Sequence, residues 1–285
     1  MIPSAFEYIR PGSLSEALAQ LAQGGDGAKL MSGGHSLLPM MKLRLAAPGT
    51  LIDIAELPEL QGIMIGTNEI VIGAATTHAQ LEHHAELAEA MPLLPSIAGL
   101  IADPTVRNRG TIGGSLAHAD PSADWPAAML ALDATVEVIG PKGQRSIPAA
   151  SFFKGLFETD LRLDEIVVRV RIPAGSNQRG AYRKFRHPAS GYAVVGVAVV
   201  LAYEANRCSG GRIAVTGHSA HAFRAKAAEA ALAGYAGQPD QTERLIDLAF
   251  TGASPLEDRF ADADYRTQLG RTMLRRALVD AISPV

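Results

Sequence analysis

Apolar residues fall along this chain in short blocks whose period switches repeatedly between helical and extended spacing. Pro11-Gly12 leads into Ser13-Leu14-Ser15-Glu16, the spacing of a capping box in which serine and glutamate side chains satisfy each other's backbone N–H groups. Leu14, Leu18 and Leu21 then share one helix face, and Gly24-Gly25 ends it. Ala28–Met31 has the pattern of a short strand, 36–45 that of a helix with Pro39 in its first turn, and 51–54 that of another strand. These predict a small β-α-β-α-β unit over residues 1–55.

A second unit, over 56–176, opens with a hairpin in which 63–65 and 70–73 flank Gly66-Thr67-Asn68-Glu69. A helix is predicted over 77–85. An apolar run over 87–102 follows, interrupted by Pro92 and Pro95 and stopped at Asp103-Pro104. Asp120 to Asp124 has the composition of a helix cap, with Trp125 and Pro126 starting the helix. A second hairpin pairs 136–139 with 144–147 across Pro141-Lys142-Gly143, and Ile166, Val168, Val170 and Ile172 alternate as in a half-buried strand. The polar, turn-rich stretch 173–180 marks a domain boundary. Beyond it, over 177–285, strands are predicted at 181–185, 193–203 and 212–216, then helices at 222–232, 239–250 and 263–282. Strands followed by helices predict an α+β domain with helices covering one face of a three-stranded sheet.

Composition narrows the function classes. At 285 residues, 47% hydrophobic and 19% charged with net charge −3, the chain has neither the basic excess of a nucleic-acid binder nor a charged interaction tail. The apolar stretch 193–203 is too short to span a bilayer, so no transmembrane segment is expected. The first residues lack the basic and apolar regions of a signal peptide, and a cytoplasmic location is the expectation. The single cysteine, Cys208, excludes an internal disulfide or an iron–sulfur cluster held by this chain alone, and its turn setting predicts a structural role. Of the eight histidines, His83-His84 would diverge on a helix, and His218 and His221 have no nearby ligand to complete a metal site. No metal site is expected.

The candidate chemistry lies in two glycine pairs. Lys29-Leu30-Met31-Ser32-Gly33-Gly34-His35-Ser36 is echoed by Arg109-Gly110-Thr111-Ile112-Gly113-Gly114-Ser115, and each is expected to be a strand-end loop. Glycine permits positive φ and close approach of another molecule to the backbone, and successive free N–H groups form an anion-seeking nest. The first stretch has neither the spacing of a Rossmann turn nor the lysine-threonine ending of a P-loop. Two such nests on different units fit a ligand with two linked phosphates.

Ser32 to Ser36 followed by Leu37-Leu38-Pro39-Met40-Met41-Lys42-Leu43-Arg44 resembles the first flavin loop of the medium subunit of molybdenum hydroxylases, the xanthine dehydrogenase and aerobic carbon monoxide dehydrogenase family. Ile101 to Pro104, Val106 to Gly114 and His118 to Pro121 resemble its second loop. The resemblance covers essentially the whole chain. It implies a two-subdomain FAD-binding unit of the PCMH type, like that of vanillyl-alcohol oxidase, followed by the smaller C-terminal domain of carbon monoxide dehydrogenase flavoproteins. By resemblance, 29–36 and 111–115 would wrap the pyrophosphate and ribityl chain. Ile101 would lie against the flavin, Asp124 would hydrogen-bond the cofactor, and Val167 and Lys184 would make further contacts. Tyr192 would stand near the isoalloxazine ring. Simpler roles for three of these are strand packing for Val167 and Tyr192 and helix capping for Asp124.

The family also implies partners: a small subunit with two [2Fe–2S] clusters, a large molybdopterin subunit, and an external electron acceptor, assembled as a dimer of heterotrimers. This chain would be an oxidoreductase subunit that is not self-sufficient, with no catalytic acid or base of its own. Two departures leave the substrate open. Ser115 stands where other members have asparagine or aspartate, and 185–191 lacks the Lys-Arg-Lys-x-Gly-Asp run of members nearest carbon monoxide dehydrogenase. Two other readings remain at this stage: a self-sufficient flavin oxidase, and a non-catalytic nucleotide-binding or assembly module.

Overall fold

The computed structural model describes residues 2–175 and 177–282; Met1, Ser176 within the expected boundary stretch, and 283–285 lie outside the described residues. The first unit runs β1 (Glu7–Ile9), α1 (Leu14–Gly24), β2 (Ala28–Met31), α2 (Leu37–Lys42) and β3 (Thr50–Asp53). Its sheet is parallel in the order β1-β3-β2, as the β-α-β-α-β pattern requires. Ser13 caps α1 by accepting from the Glu16 N–H at 3.2 Å. The capping box is only half made, however, because the Glu16 carboxylate accepts from Gly12 N at 2.7 Å instead of reaching Ser13. The second helix is shorter than predicted: it stops at Lys42, and Arg44 takes a left-handed φ of 59°.

The second unit carries β4 (Ile63–Ile65), β5 (Glu69–Gly73), α3 (His78–Glu82), α4 (Ala85–Ala90), α5 (Leu93–Leu100), α6 (Pro104–Arg107), α7 (Ile112–His118) and α8 (Asp124–Ala131). It continues through β6 (Thr135–Gly140), β7 (Gly143–Pro148), α9 (Ala149–Phe152), β8 (Phe153–Gly155), β9 (Glu158–Thr159) and β10 (Ile166–Pro173). The main sheet is antiparallel in the order β4-β5-β10-β6-β7. The predicted helix over 77–85 breaks into two, because His83 ends α3 and the His84 ring caps α4 by accepting from Leu87 N. Strand β10 is not half-buried. A bulge between Val167 and Arg169 shifts its register, so Ile166 and Val168 face the core shared with Ala17, Leu21 and Ile52 of the first unit. Val167, Val170 and Ile172 face the larger core with Leu81, Ile97, Ile112, Leu116 and Trp125.

The C-terminal unit consists of β11 (Gln178–Arg186), β12 (Ala193–Glu204), β13 (Arg207–Thr216), β14 (Phe223–Arg224), α10 (Lys226–Glu229), α11 (Pro239–Ala249) and α12 (Ala263–Ile282). Its antiparallel sheet has four strands, since the predicted helix over 222–232 is a two-residue strand followed by a single helical turn. Residues 193–201 are buried without interruption. Val195, Val197, Val199 and Leu201 pack under α12, while Ala198 and Val200 turn the other way, into the core of the second unit. A continuous apolar strand therefore marks a sheet covered on both faces. Cys208 lies on β13, buried, with its thiol directed at the Gly210 and Leu232 carbonyl oxygens, and burial pushes its pKa up. Among the described residues no helix is long and apolar enough to cross a membrane.

Candidate flavin-binding site

Strand β2 delivers the first glycine pair. Along it Lys29 is exposed, Leu30 packs half-buried against the core of the first unit, and Met31 is buried with Met41 and Leu51. Gly34 turns the chain with φ +75°, and the His35 ring nitrogen Nδ1 lies 3.0 Å from the Gly33 carbonyl oxygen. Among the described residues, no protein acceptor faces the N–H groups of Gly33, Gly34, His35 or Ser36. This is the open run of donors expected of an anion nest.

The second glycine pair differs. Gly113 and Gly114 form the first turn of helix α7, capped by Thr111, and neither has a positive φ. Their N–H groups are already taken: Gly113 donates to Ala74 O at 2.9 Å and Gly114 to Thr111 Oγ1 at 3.2 Å, while Ile112 and Ser115 donate to Thr76 O and Thr111 O. Glycine is needed at 113 because a Cβ there would overlap Ala74. The expected second nest is thus a helix start held by protein. It shares a sequence signature with the first pair but not its backbone.

The two stretches nevertheless meet. A Cβ on Gly33 would overlap the Arg109 carbonyl oxygen and the Gly110 backbone, so the close approach of the loops at this point requires glycine. A hydroxyl chain joins them, with Gly114 N donating to Thr111 Oγ1 and Thr111 Oγ1 donating to Ser32 Oγ at 3.0 Å. Beneath Gly110 lies His78, whose Nδ1 accepts from Trp125 Nε1 at 3.2 Å. Burial pushes the His78 pKa down to about 3, so the imidazole is neutral. Thr77 and Gln80 form a complete capping box beside it.

Ile101 ends α5, and its carbonyl oxygen accepts from Arg107 Nη1 at 3.0 Å; Ala102 follows with φ 42°. The Tyr192 phenol lies near the Ser36 side chain. Tyr192 is 38% exposed and lies between β11 and β12, outside either strand. Asp120 lies close by, and burial raises the pKa of both groups. Asp124 does not cap its helix: Ala123 holds the N-cap position, and the Asp124 carboxylate takes Tyr182 OH at 2.5 Å and Lys184 Nζ at 2.9 Å. Burial pushes that carboxyl up, against the opposing pull of the Lys184 ammonium. Val167 is spent on the core, as the strand-packing reading has it.

Sequence reasoning passed over His78, Ala102, Tyr182 and Arg186, which shape the site. Tyr182 had a usable signal, being two positions from Lys184 and therefore on the same face of its strand. Ala102 had none, because alanine does not announce a left-handed φ as glycine or asparagine would. The donors present fit a dinucleotide carrying a pyrophosphate. The N–H groups of Gly33 to Ser36 are without a protein acceptor among the described residues, the Ser32 and Thr111 hydroxyls join the two loops, and the Tyr192 phenol lies near Ser36.

A sheet-and-helix flavin unit with a second α+β domain closing over it defines the class. Residues 4–175 match the family model described as FAD binding domain in molybdopterin dehydrogenase, and 180–281 match CO dehydrogenase flavoprotein C-terminal domain. The chain belongs to this family, as an FAD-binding medium subunit of molybdenum hydroxylases. It is 44% identical over 279 residues to the carbon monoxide dehydrogenase medium chain of Hydrogenophaga pseudoflava, covering 98% of this chain and 97% of that one. It is 37% identical over 284 residues to the 6-hydroxypseudooxynicotine dehydrogenase complex subunit alpha of Paenarthrobacter nicotinovorans, covering 99% and 96%. A solved carbon monoxide dehydrogenase from Hydrogenophaga pseudoflava superposes with a TM-score of 0.95 at 45% identity, covering 99% of this chain and 98% of that one.

Proposed function

We propose that this chain is the electron-transfer subunit of a cytoplasmic three-subunit molybdenum hydroxylase, present as a dimer of heterotrimers. A large molybdopterin subunit oxidises the substrate, and a small subunit with two [2Fe–2S] clusters relays single electrons to this chain. From here they pass in pairs to an external acceptor such as a quinone, NAD or oxygen. Bound FAD supplies the exchange between one- and two-electron chemistry. The protein's own part is binding and orientation. The N–H groups of Gly33 to Ser36 hold the pyrophosphate, the Thr111–Ser32 hydroxyl pair fixes the spacing of the two loops, and Ile101 and Tyr192 border the ring.

The observation that carries the reading is the open donor run at Gly33–Ser36 pressed against Arg109–Gly110. The test is co-purification from the native host followed by flavin and metal analysis. One FAD per copy of this chain, with molybdenum and iron in the accompanying subunits, is expected. Flavin in the isolated chain that bleaches on adding a small substrate would instead identify a self-sufficient oxidase, and a chain that takes up no flavin would be an assembly module.

A further inference from the structure

Tyr182 and Lys184 project from one face of β11 into the second unit, and both end on Asp124. The Lys184 and Asp124 side chains are 2% and 4% exposed. A buried ion pair roughly breaks even in stability against apolar groups of the same size, so its consequence is geometric. Lys184 Nζ has a second acceptor, the Gly191 carbonyl oxygen, at 2.9 Å. Gly191 sits with φ +76°, and a Cβ there would lie 2.9 Å from Ala102 Cα and 3.0 Å from the Arg186 guanidinium. Arg186 Nη2 in turn donates to Ala102 O at 2.5 Å.

The segment 187–192 is therefore a short strap tied to the flavin unit. Internally, Gly191 N donates to His187 O at 2.9 Å and His187 N to Tyr192 O at 2.8 Å. Its far end is fixed by Ala193 N donating to Ser122 O at 3.1 Å. The strap ends in Tyr192, whose phenol lies near the Ser36 side chain of the first glycine loop. Asp124, with both oxygens taken by Tyr182 and Lys184, is committed to the strap's foundation.

We propose that Lys184 and Asp124 are positioning residues: they hold Gly191 so that Tyr192 stands over the rim of the glycine loop, and they act on bound FAD through Tyr192. This rests on the flavin reading above. The test uses the full chain freed of flavin and titrated with FAD, following affinity and flavin fluorescence in Lys184→Met, Tyr192→Leu and the double variant. Should Lys184→Met fail to fold, Asp124→Asn/Lys184→Met removes both charges at nearly constant volume and takes its place.

Each single change is expected to weaken FAD binding about tenfold and to alter the flavin fluorescence in the same way, with the double variant no worse than either single, the signature of residues acting as one unit. Additive losses in the double variant overturn the positioning role. So does a lysine variant whose thermal midpoint falls while affinity and fluorescence stay at wild-type values. Absence of FAD uptake by the wild-type chain overturns the flavin reading and this inference with it. Normal wild-type uptake with additive losses overturns the inference alone.

Discussion

Gly33 and Gly113 are needed for different reasons, although the sequence writes them alike. At 33 a side chain would collide with Arg109 and Gly110 of the opposing loop, whereas at 113 it would collide with Ala74 inside the fold. Gly33→Ala should therefore leave a folded chain whose loops are forced apart, with FAD affinity lowered at least about tenfold, a cost of about 1.4 kcal/mol. Fluorescence titration with FAD checks this, and wild-type affinity in that variant would remove Gly33 from the site. Legibility at this scale followed chain proximity. Ser32 to Ser36 were readable because the loop is local, while the partners of Asp124 were not, since Tyr182 and Lys184 lie about sixty positions away.

Two of the predicted elements took another form in the fold. The stretch that forms helix α7 reads in sequence as a strand-end loop, yet the Thr111 cap and the packing of Gly113 on Ala74 outweigh the roughly 1 kcal/mol that each glycine costs a helix. The single turn α10 replaces a longer predicted helix because Phe223–Arg224 extends the sheet beside β13. The hairpin joining β12 and β13 turns through Ala205 and Asn206, with φ 46° and 63°. Two left-handed central residues make a type I′ turn, which favours asparagine or glycine over alanine. Ala205→Asn should stabilise the chain by about 0.5–1 kcal/mol, seen as a rise of about 1–2 °C in the thermal midpoint. A lower midpoint would mean that the alanine methyl makes contacts worth more than the strain.

Taken whole, the molecule is stitched across its domain boundary. Thr216 Oγ1 lies 2.8 Å from Pro121 O and 2.7 Å from Ala123 O, Gly217 N donates to Pro121 O, and the Ala198–Val200 face of β12 completes the core around Trp125. A stability term from either half should therefore register in the unfolding of the entire chain. His78 and His218, one in each half, are pushed by burial down to about 3 and about 4 from an ordinary 6.5. In both the folded state refuses a proton that the unfolded chain accepts. The stability they confer is whole above pH 6.5 and declines as pH falls toward 4, by up to about 1.4 kcal/mol per pH unit for each group. Asp120 and Asp124, whose carboxyl pKa values are raised, act in the opposite sense, so the comparison has to be between variants. Urea midpoints should fall between pH 6.5 and 5, and His78→Asn, which keeps an acceptor for the Trp125 N–H, should flatten that slope. An unchanged slope would show that His78 takes up its proton without cost.

What the sequence determined by itself is whatever neighbouring residues enforce: the parallel first unit, the hairpins, the long C-terminal helix, and a glycine loop at the end of β2. Helical and extended periods and turn chemistry act over a few residues, so they can be read from order alone. Only the tertiary structure decided that one glycine pair offers open N–H groups while the other spends its own on Ala74 and Thr111. It also decided that the Lys184–Asp124 pair supports the strap bearing Tyr192. Those outcomes depend on which backbone arrives opposite each donor, and that is set by packing between segments far apart in the chain.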